Sequence, residues 1–362
     1  PLYFDKNCTE TSGFIRQEWW HSAGREARML RNNVGVIDIS NFAKYSCKGP
    51  GAEKWLNSVF ANRMPSEVGK SCLTPLISVF GGVAGDATVT RISNDEFWVV
   101  SSGISERYQQ RFYNSVRLPE NTSFRSKTDE FCGFNIAGPK SREILQRLSN
   151  EDLSNKNWPF MQSGMLSIAG VMCLALRISF TGDLGWELYC EANKQQIVYE
   201  TLIQEAANKS GGPVGSRALM SLRIEKGYGS WSREYSPEVW PHECGLDKLC
   251  KLDKYFLNKD KLEKNLKTNP RESLSLIHLN EEDCNSSNAD ATGGEPVFKN
   301  GKGLGRVTSG AYGYTVGMSL ALGYLKDTNP GDNVEVMVLG KPHRGKVLAS
   351  SPFDPEGKIL RG

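Results

Sequence analysis

Apolar and polar residues alternate along this chain in two distinct periods, and the switch between them outlines the elements. Residues 24–33, "GREARMLRNN", have helical spacing and lead into "VGVIDIS", a strand. "GPGAEKWLNSVFANRMP" offers a turn and then a helix, with Trp55, Leu56, Val59 and Phe60 on one face and Pro65 soon after its end. "LTPLISVFGGVAGDATVTRIS" reads as two strands about a glycine-rich turn, Ala87, Val89 and Arg91 alternating along the second. "DEFWVVSSG" is a further strand, followed by a polar helix at 104–116.

The theme then recurs. "FCGFNIAGPKSREILQRLS" is strand, "GP" and helix, as is "YSCKGPGAEKWLNSVF". Each is followed by β-rich sequence and another helix, the second at 195–208 with Val198, Leu202 and Ala206 on one face. This predicts two related α+β units. Beyond residue 255 the character changes. "NKDKLEKNLKTNPRES" is charged and linker-like, and "NEEDCNSSNADATGGEP" reads as an exposed loop. "SLSLIHL", "GRVTSG", "SLALGYL" and "NVEVMVLG" are short alternating strands, evenly spaced, as in a small barrel or sandwich.

Composition narrows the function classes. The 362 residues exceed one ordinary core, and 39% apolar with 23% charged residues is globular composition. A net charge of +3 with interspersed signs excludes a dedicated nucleic-acid surface. No apolar run reaches the roughly 20 residues of a membrane helix. The opening "PLYFDKNCTE" has no secretory pattern and no Met, so a processed terminus or a piece of a longer chain is expected. Nine cysteines without a CxxC pair point to a reducing compartment, cytoplasm or mitochondrial matrix. The four histidines are scattered, so no metal site is expected. No GxGxxG follows a strand, and GxxxxGK[ST] and GxSxG are missing.

Three stretches offer chemistry. In "GGVAGDATVTR", Asp86 is either a turn residue or a carboxylate at a strand end beside a cleft, able to take a proton or stabilise a cation. In "FTGDLGWELY", Asp183 reads as a turn residue. If Leu184, Trp186 and Leu188 face one way, Glu187 and Tyr189 face the other. Glu187 is then either a half-exposed strand residue or a buried acceptor for a planar heterocycle rich in N–H donors. In "LRIEKGYGSWSREY", a helix ends at Gly227 and leaves Arg223 and Glu225 on its polar side, with salt bridging as the default.

Taken in order, "GGVAGDATVTR", "GPKSREILQRLS", "FTGDLGWELY", "LRIEKGY", "ECGLD" and "VTSGAYGYT" resemble the folate-binding aminomethyltransferase family, that of the glycine cleavage system T-protein. The likeness runs from about residue 14 to the end. "WWHSAGREARMLRNNVGVIDIS", "LRIEKGYGSW" and "SGAYGYT" are similar to the folate domain of dimethylglycine and sarcosine dehydrogenases; T-proteins carry "SGxxSP" where Tyr312 and Tyr314 stand. The resemblance implies an α+β, three-domain cloverleaf about a central folate channel, with two ferredoxin-like units and a C-terminal β-barrel or jelly-roll. Residues 1–50 plus 135–235 would form the first domain, 51–134 an inserted one carrying Asp86, and 236–362 the linker and β-rich third.

The resemblance also implies tetrahydrofolate as cofactor, Asp86 as the catalytic carboxylate and Glu187 as the pterin acceptor. Phe180 takes the place of a site tyrosine, and Val100, Ser101, Arg223, Trp231 and Tyr312 fall on the folate side. Gly229 stands where relatives often have arginine, a role Arg233 could take over. The implied reaction moves a one-carbon unit from a small methylated amine to tetrahydrofolate. FAD enters only through an attached or partner flavin oxidoreductase. Nucleic acid and membrane are not expected partners. A free-standing demethylase, a true T-protein and a non-catalytic scaffold remain as alternatives.

Overall fold

The computed structural model describes residues 1–8 and 13–362; residues 9–12, which include the end of the opening segment, lie outside the described residues. The chain begins with α1 (Glu18–Asn32) and β1 (Gly35–Asp38). α1 starts a turn and a half before the expected residue 24 because Gly24 does not interrupt it. A Cβ there would fall 2.8 Å from the Tyr314 ring, so the glycine admits a close contact.

The chain then crosses into a second sheet. Its elements are β2 (Ala43–Lys48), α2 (Ala52–Val59), β3 (Ser71–Ile77), β4 (Val83–Arg91), β5 (Glu96–Ser101), α3 (Glu106–Ser115) and β6 (Ser123–Ser126). It returns to the first sheet with β7 (Phe131–Ala137), α4 (Ser141–Leu148), β8 (Ser163–Ile168), β9 (Val171–Leu176), β10 (Gly185–Glu191), α5 (Gln195–Ala207) and β11 (Gly212–Pro213). The strand orders are β3-β4-β5-β2-β6 and β11-β1-β7-β10-β9-β8. The repeated theme is therefore a repeated topology. Both "GP" joints turn on a glycine of positive φ, +126° at Gly49 and +117° at Gly138. At these two positions a Cβ would sit 2.1 Å from the Asn121 carbonyl oxygen and 2.3 Å from that of Leu30.

Hydrogen bonding puts residues 43–48 in the second sheet, earlier in the chain than the expected division at residue 51, and the return comes at Phe131. Packing gives the reason: Tyr45 and Cys47 share a core with Trp55, Phe97 and Val99.

α6 (Ser216–Glu225) leads out of the first unit, and α7 (Lys259–Leu266) lies in the expected linker. That segment is structured, because Cys250, Phe256 and Leu262 cover Ala61 and Ile77 of the second unit. The third unit is a closed barrel, ordered β12-β15-β14-β13-β16-β17. It comprises β12 (Ser273–Leu279), α8 (Glu281–Ser287), β13 (Pro296–Lys299), β14 (Lys302–Gly313), β15 (Met318–Leu325), β16 (Asn333–Val338) and β17 (Lys341–Val347), with α9 (Lys358–Arg361) at the end. The expected loop at 280–296 is instead largely helix and core. The Asn280 side chain caps α8 by accepting from the Asp283 amide, and Cys284, Ala289 and Ala291 are fully buried in the barrel.

Each unit has its own apolar core, and a further one lies where they meet. It gathers Ala23 and Leu30 of α1, Trp98 and Val100 of β5, Leu176 and Tyr189 of the first sheet, Leu222 of α6 and Tyr314 from the barrel. No helix among the described residues is long and apolar enough to cross a membrane.

Candidate functional site

Strand alternation aims the two carboxylates. On β10, Trp186, Leu188 and Cys190 enter the core of the first unit, while Tyr189 enters the shared core, so Glu187 lies on the shared face. On β5, Phe97 and Val99 enter the core of the second unit, while Trp98 and Val100 take the shared face. Val100 is paired with Thr88 on β4, so Thr88 and, two residues back, Asp86 lie on that face too. Asp86 is thus a strand residue opposite Pro75, not a turn residue; the turn is made earlier, at Gly81 with φ +76°. Asp86 and Glu187 stand on two sheet faces that pack together, with the Trp98 and Tyr189 ring centroids 6.2 Å apart.

Glu187 is 7% exposed. Its Oε2 accepts from the Tyr189 hydroxyl at 2.7 Å. Burial pushes its carboxyl up to about 7 against the pull of that hydrogen bond. Asp86 Oδ1 is enclosed and has no hydrogen-bond partner. Burial pushes this carboxyl up to about 6, opposed by its own backbone amide. Tyr113 and Tyr235 lie near enough to feel the Asp86 charge, which adds to the effect of burial in raising both phenols. Ser101 is buried with its hydroxyl unpartnered, while the Tyr113 hydroxyl donates to Gln109 Oε1 at 3.1 Å. Val100 walls the same face.

The other expected residues distribute around this pair. Phe180 stacks on Tyr228, centroids 6.0 Å apart. Trp231 stacks on Tyr108 at 5.7 Å and bridges to Tyr235. Tyr312 packs against the edge of the shared core: its ring lies 5.1 Å from that of Trp20, and the Arg16 guanidinium sits over it. Arg223 is fully buried, not on a polar face. Its Nη1 donates to Glu234 Oε2 at 3.0 Å and to the Tyr228 carbonyl at 2.7 Å; Nη2 donates to Ser309 Oγ at 2.7 Å. Burial lowers its pKa, and Glu234 opposes this. Arg223 therefore ties α6 to the 228–235 loop and to the barrel. Glu225 is equally buried, accepting from Arg31 Nη2 at 2.8 Å. Arg31 also pairs with Asp183, so the turn residue before β10 anchors α1 as well. At Gly229 a Cβ would fall 2.7 Å from the Tyr235 ring, which fills the space an arginine side chain would start from. Arg233 is exposed.

Sequence reading missed Tyr189, Glu234 and Tyr235. Tyr189 had a visible signal, its i+2 position from Glu187 on one strand face.

What the site offers is acceptor capacity beside apolar walls. Glu187 keeps one carboxylate oxygen free of any described partner, and the enclosed Asp86 oxygen awaits a donor. These features fit a folate.

Comparison with known proteins gives the family. Residues 1–254 match the family described as "GCVT N-terminal domain", and 276–354 match "Glycine cleavage T-protein C-terminal barrel domain". The chain is 32% identical over 358 residues to mitochondrial dimethylglycine dehydrogenase of Mus musculus, covering 96% of this chain and 40% of that protein. It is 30% identical over 364 residues to aminomethyltransferase of Thermotoga neapolitana, covering 96% and 98%. The crystal structure of glycine cleavage system aminomethyltransferase T from Bartonella henselae superposes with a TM-score of 0.82 at 20% identity, over 94% of this chain and 91% of that one. The chain spans about two fifths of the dehydrogenase's length.

Proposed function

The chain belongs to the GCVT aminomethyltransferase family, and from that premise we propose that it transfers a one-carbon unit from a small methylated amine, of dimethylglycine or sarcosine type, to tetrahydrofolate. The observation that carries this reading is the pair of carboxylates, Asp86 and Glu187, on facing sheet surfaces with acceptor capacity left open.

Bound folate would supply the amine nitrogens that accept the carbon, giving 5,10-methylenetetrahydrofolate. Glu187 would hold the pterin edge by accepting its N–H donors, and Phe180, Val100 and Ser101 would bound the ring. Asp86 would take a proton from a folate nitrogen, or stabilise the cationic carbon, from a pocket that excludes water. Holding both reactants together supplies a further part of the acceleration, up to roughly 7–11 kcal/mol. Arg223 and its Glu234 partner would brace the 228–235 loop that carries Trp231 beside the folate, with Tyr312 further out at the edge of the shared core.

Oxidation of the N-methyl group belongs, in this reading, to a flavin oxidoreductase domain or subunit carrying FAD. The longer dehydrogenase relatives support that assignment, and their mitochondrial names support the matrix as the compartment.

Calorimetric titration with tetrahydrofolate under nitrogen tests the proposal. Wild type is expected to bind in the micromolar range, and Glu187→Ala to bind at least tenfold more weakly. A wild-type chain that takes up no folate overturns it.

A further inference from the structure

Tyr189 occupies an unusual seat. It lies directly opposite Gly133 on β7. A Cβ on Gly133 would come within 2.9 Å of the tyrosine ring, so the ring packs against the bare backbone of the glycine, a seat any side chain there would close. From the second sheet, Trp98 closes over it at 6.2 Å. Held on both sides, the ring has its hydroxyl fixed on Glu187 Oε2 at 2.7 Å. Oε1 takes no bond among the described residues, so the tyrosine occupies one carboxylate oxygen and leaves the other for a ligand.

We propose that Tyr189 is a positioning residue for the one-carbon transfer: seated over Gly133 and under Trp98, it orients the Glu187 carboxylate and holds it as a charged acceptor for the pterin.

This rests on the folate reading above, but it concerns a property of the unliganded protein. The surroundings of Glu187 make the tyrosine decisive. Across β7 stands Asn135, whose Nδ2 donates to the Trp186 carbonyl, and across β9 stands Leu176. Trp98 and Val100 face it from the second sheet. Burial raises the carboxyl, and the Tyr189 hydroxyl is the titratable neighbour that acts on it, pulling it down. A phenol that donates to a carboxylate favours its ionised form, so removing the hydroxyl leaves burial unopposed and Glu187 protonated to higher pH. A protonated carboxyl is a poorer acceptor for N–H donors.

The test reads the Glu187 carboxyl stretch by infrared difference titration of the unliganded chain, with Glu187→Gln identifying the band. Tyr189→Phe keeps the ring and is expected to move the Glu187 midpoint upward by about one unit. Tetrahydrofolate affinity at neutral pH should then fall roughly threefold or more, with the acid limb of the binding profile shifted by the same amount. Gly133→Ala keeps the hydroxyl and tilts the ring off its seat; it is expected to give the same displacement, and it decides the matter if the phenylalanine variant does not fold. A Glu187 midpoint unchanged in the folded variant overturns the inference, whatever folate does. A midpoint that moves in a chain binding no tetrahydrofolate overturns the folate reading and leaves the tyrosine–glutamate coupling standing.

Discussion

The two sheets repeat one strand order, with β1 added to the first between β7 and β11, and are opposites in chemistry. Each runs strand, glycine-proline joint, helix, three strands and a short helical turn into a longer helix. The short turns at Gly103–Ser105 and Ala192–Lys194 give a common origin for counting. Four residues before the turn's N-cap stands Trp98 in one sheet and Glu187 in the other. Thr88 and Leu174 pair with equivalent residues, Val100 and Tyr189, so two residues before them Asp86 in the second unit corresponds to Met172 in the first. Each half contributes one carboxylate where the other has an apolar side chain. The two faces are equivalent in position and complementary in chemistry, with the Glu187 side of the shared core met by Trp98 and Val100 of the other sheet. A symmetric pair would have set either two buried charges or two greasy surfaces against each other, and neither recognises a polar ring.

Five substitutions, at three kinds of position, break or sharpen this comparison. The largest effect is expected at the unequal pair of Asp86 and Met172. Asp86→Asn should slow methylenetetrahydrofolate formation by roughly 10²–10⁴ while leaving folate affinity nearly intact, and Met172→Ala should do neither. Because the carboxyl of Asp86 is pushed up to about 6, the wild-type transfer rate should fall as pH drops below that value. A rate flat down to pH 5 would sink its role as a base.

The equal positions come next. Gly49→Ala and Gly138→Ala should each cost about 2–4 kcal/mol in urea unfolding, since both pair positive φ with a backbone oxygen inside contact distance. If one is costly and the other neutral, the two joints are not structural equivalents.

The smallest effect is on stability at Glu187. Its carboxyl titrates near 7 in the folded chain, above the roughly 4.3 of an unfolded glutamate. The folded state therefore holds this proton more tightly. The stabilisation is full below about pH 4, fades as pH rises toward 7, and is gone above it. Glu187→Gln should accordingly be more stable than wild type by about 2–3 kcal/mol at pH 8 and by little at pH 4. Equal stability of the two proteins at pH 8 would mean that the buried charge is not costly.

Much of this architecture was legible because it rests on local signals. The repeated joint shows as "GP" after an apolar run, Val198, Leu202 and Ala206 mark the buried face of α5, and β16 alternates buried with more exposed positions. Alternation also put Glu187 on the face opposite Trp186. What was not legible depends on partners distant in the chain. Arg223 and Glu225 look like surface charges until Glu234 and Arg31 close over them. The stretch around Cys284 is rich in Asn, Asp and Ser and reads as loop, yet one cysteine and two alanines suffice to tuck it into the barrel. Asp86 follows three glycines within its segment and so resembles a turn residue; only the register with Pro75 shows that the strand has already begun.

The strap between α6 and the barrel has a consequence during synthesis. The strands of the second unit are complete at Ser126, but Ala61 and Ile77 are covered by Cys250, Phe256 and Leu262. On the ribosome that apolar patch stays bare until the chain has grown past residue 262. The second unit must therefore wait, partly open and prone to stray association, for a segment that looks like spacer. A ribosome that stalled before the strap emerged would leave a nascent chain with every strand of its second sheet but an unsealed surface, the kind of species that chaperones engage.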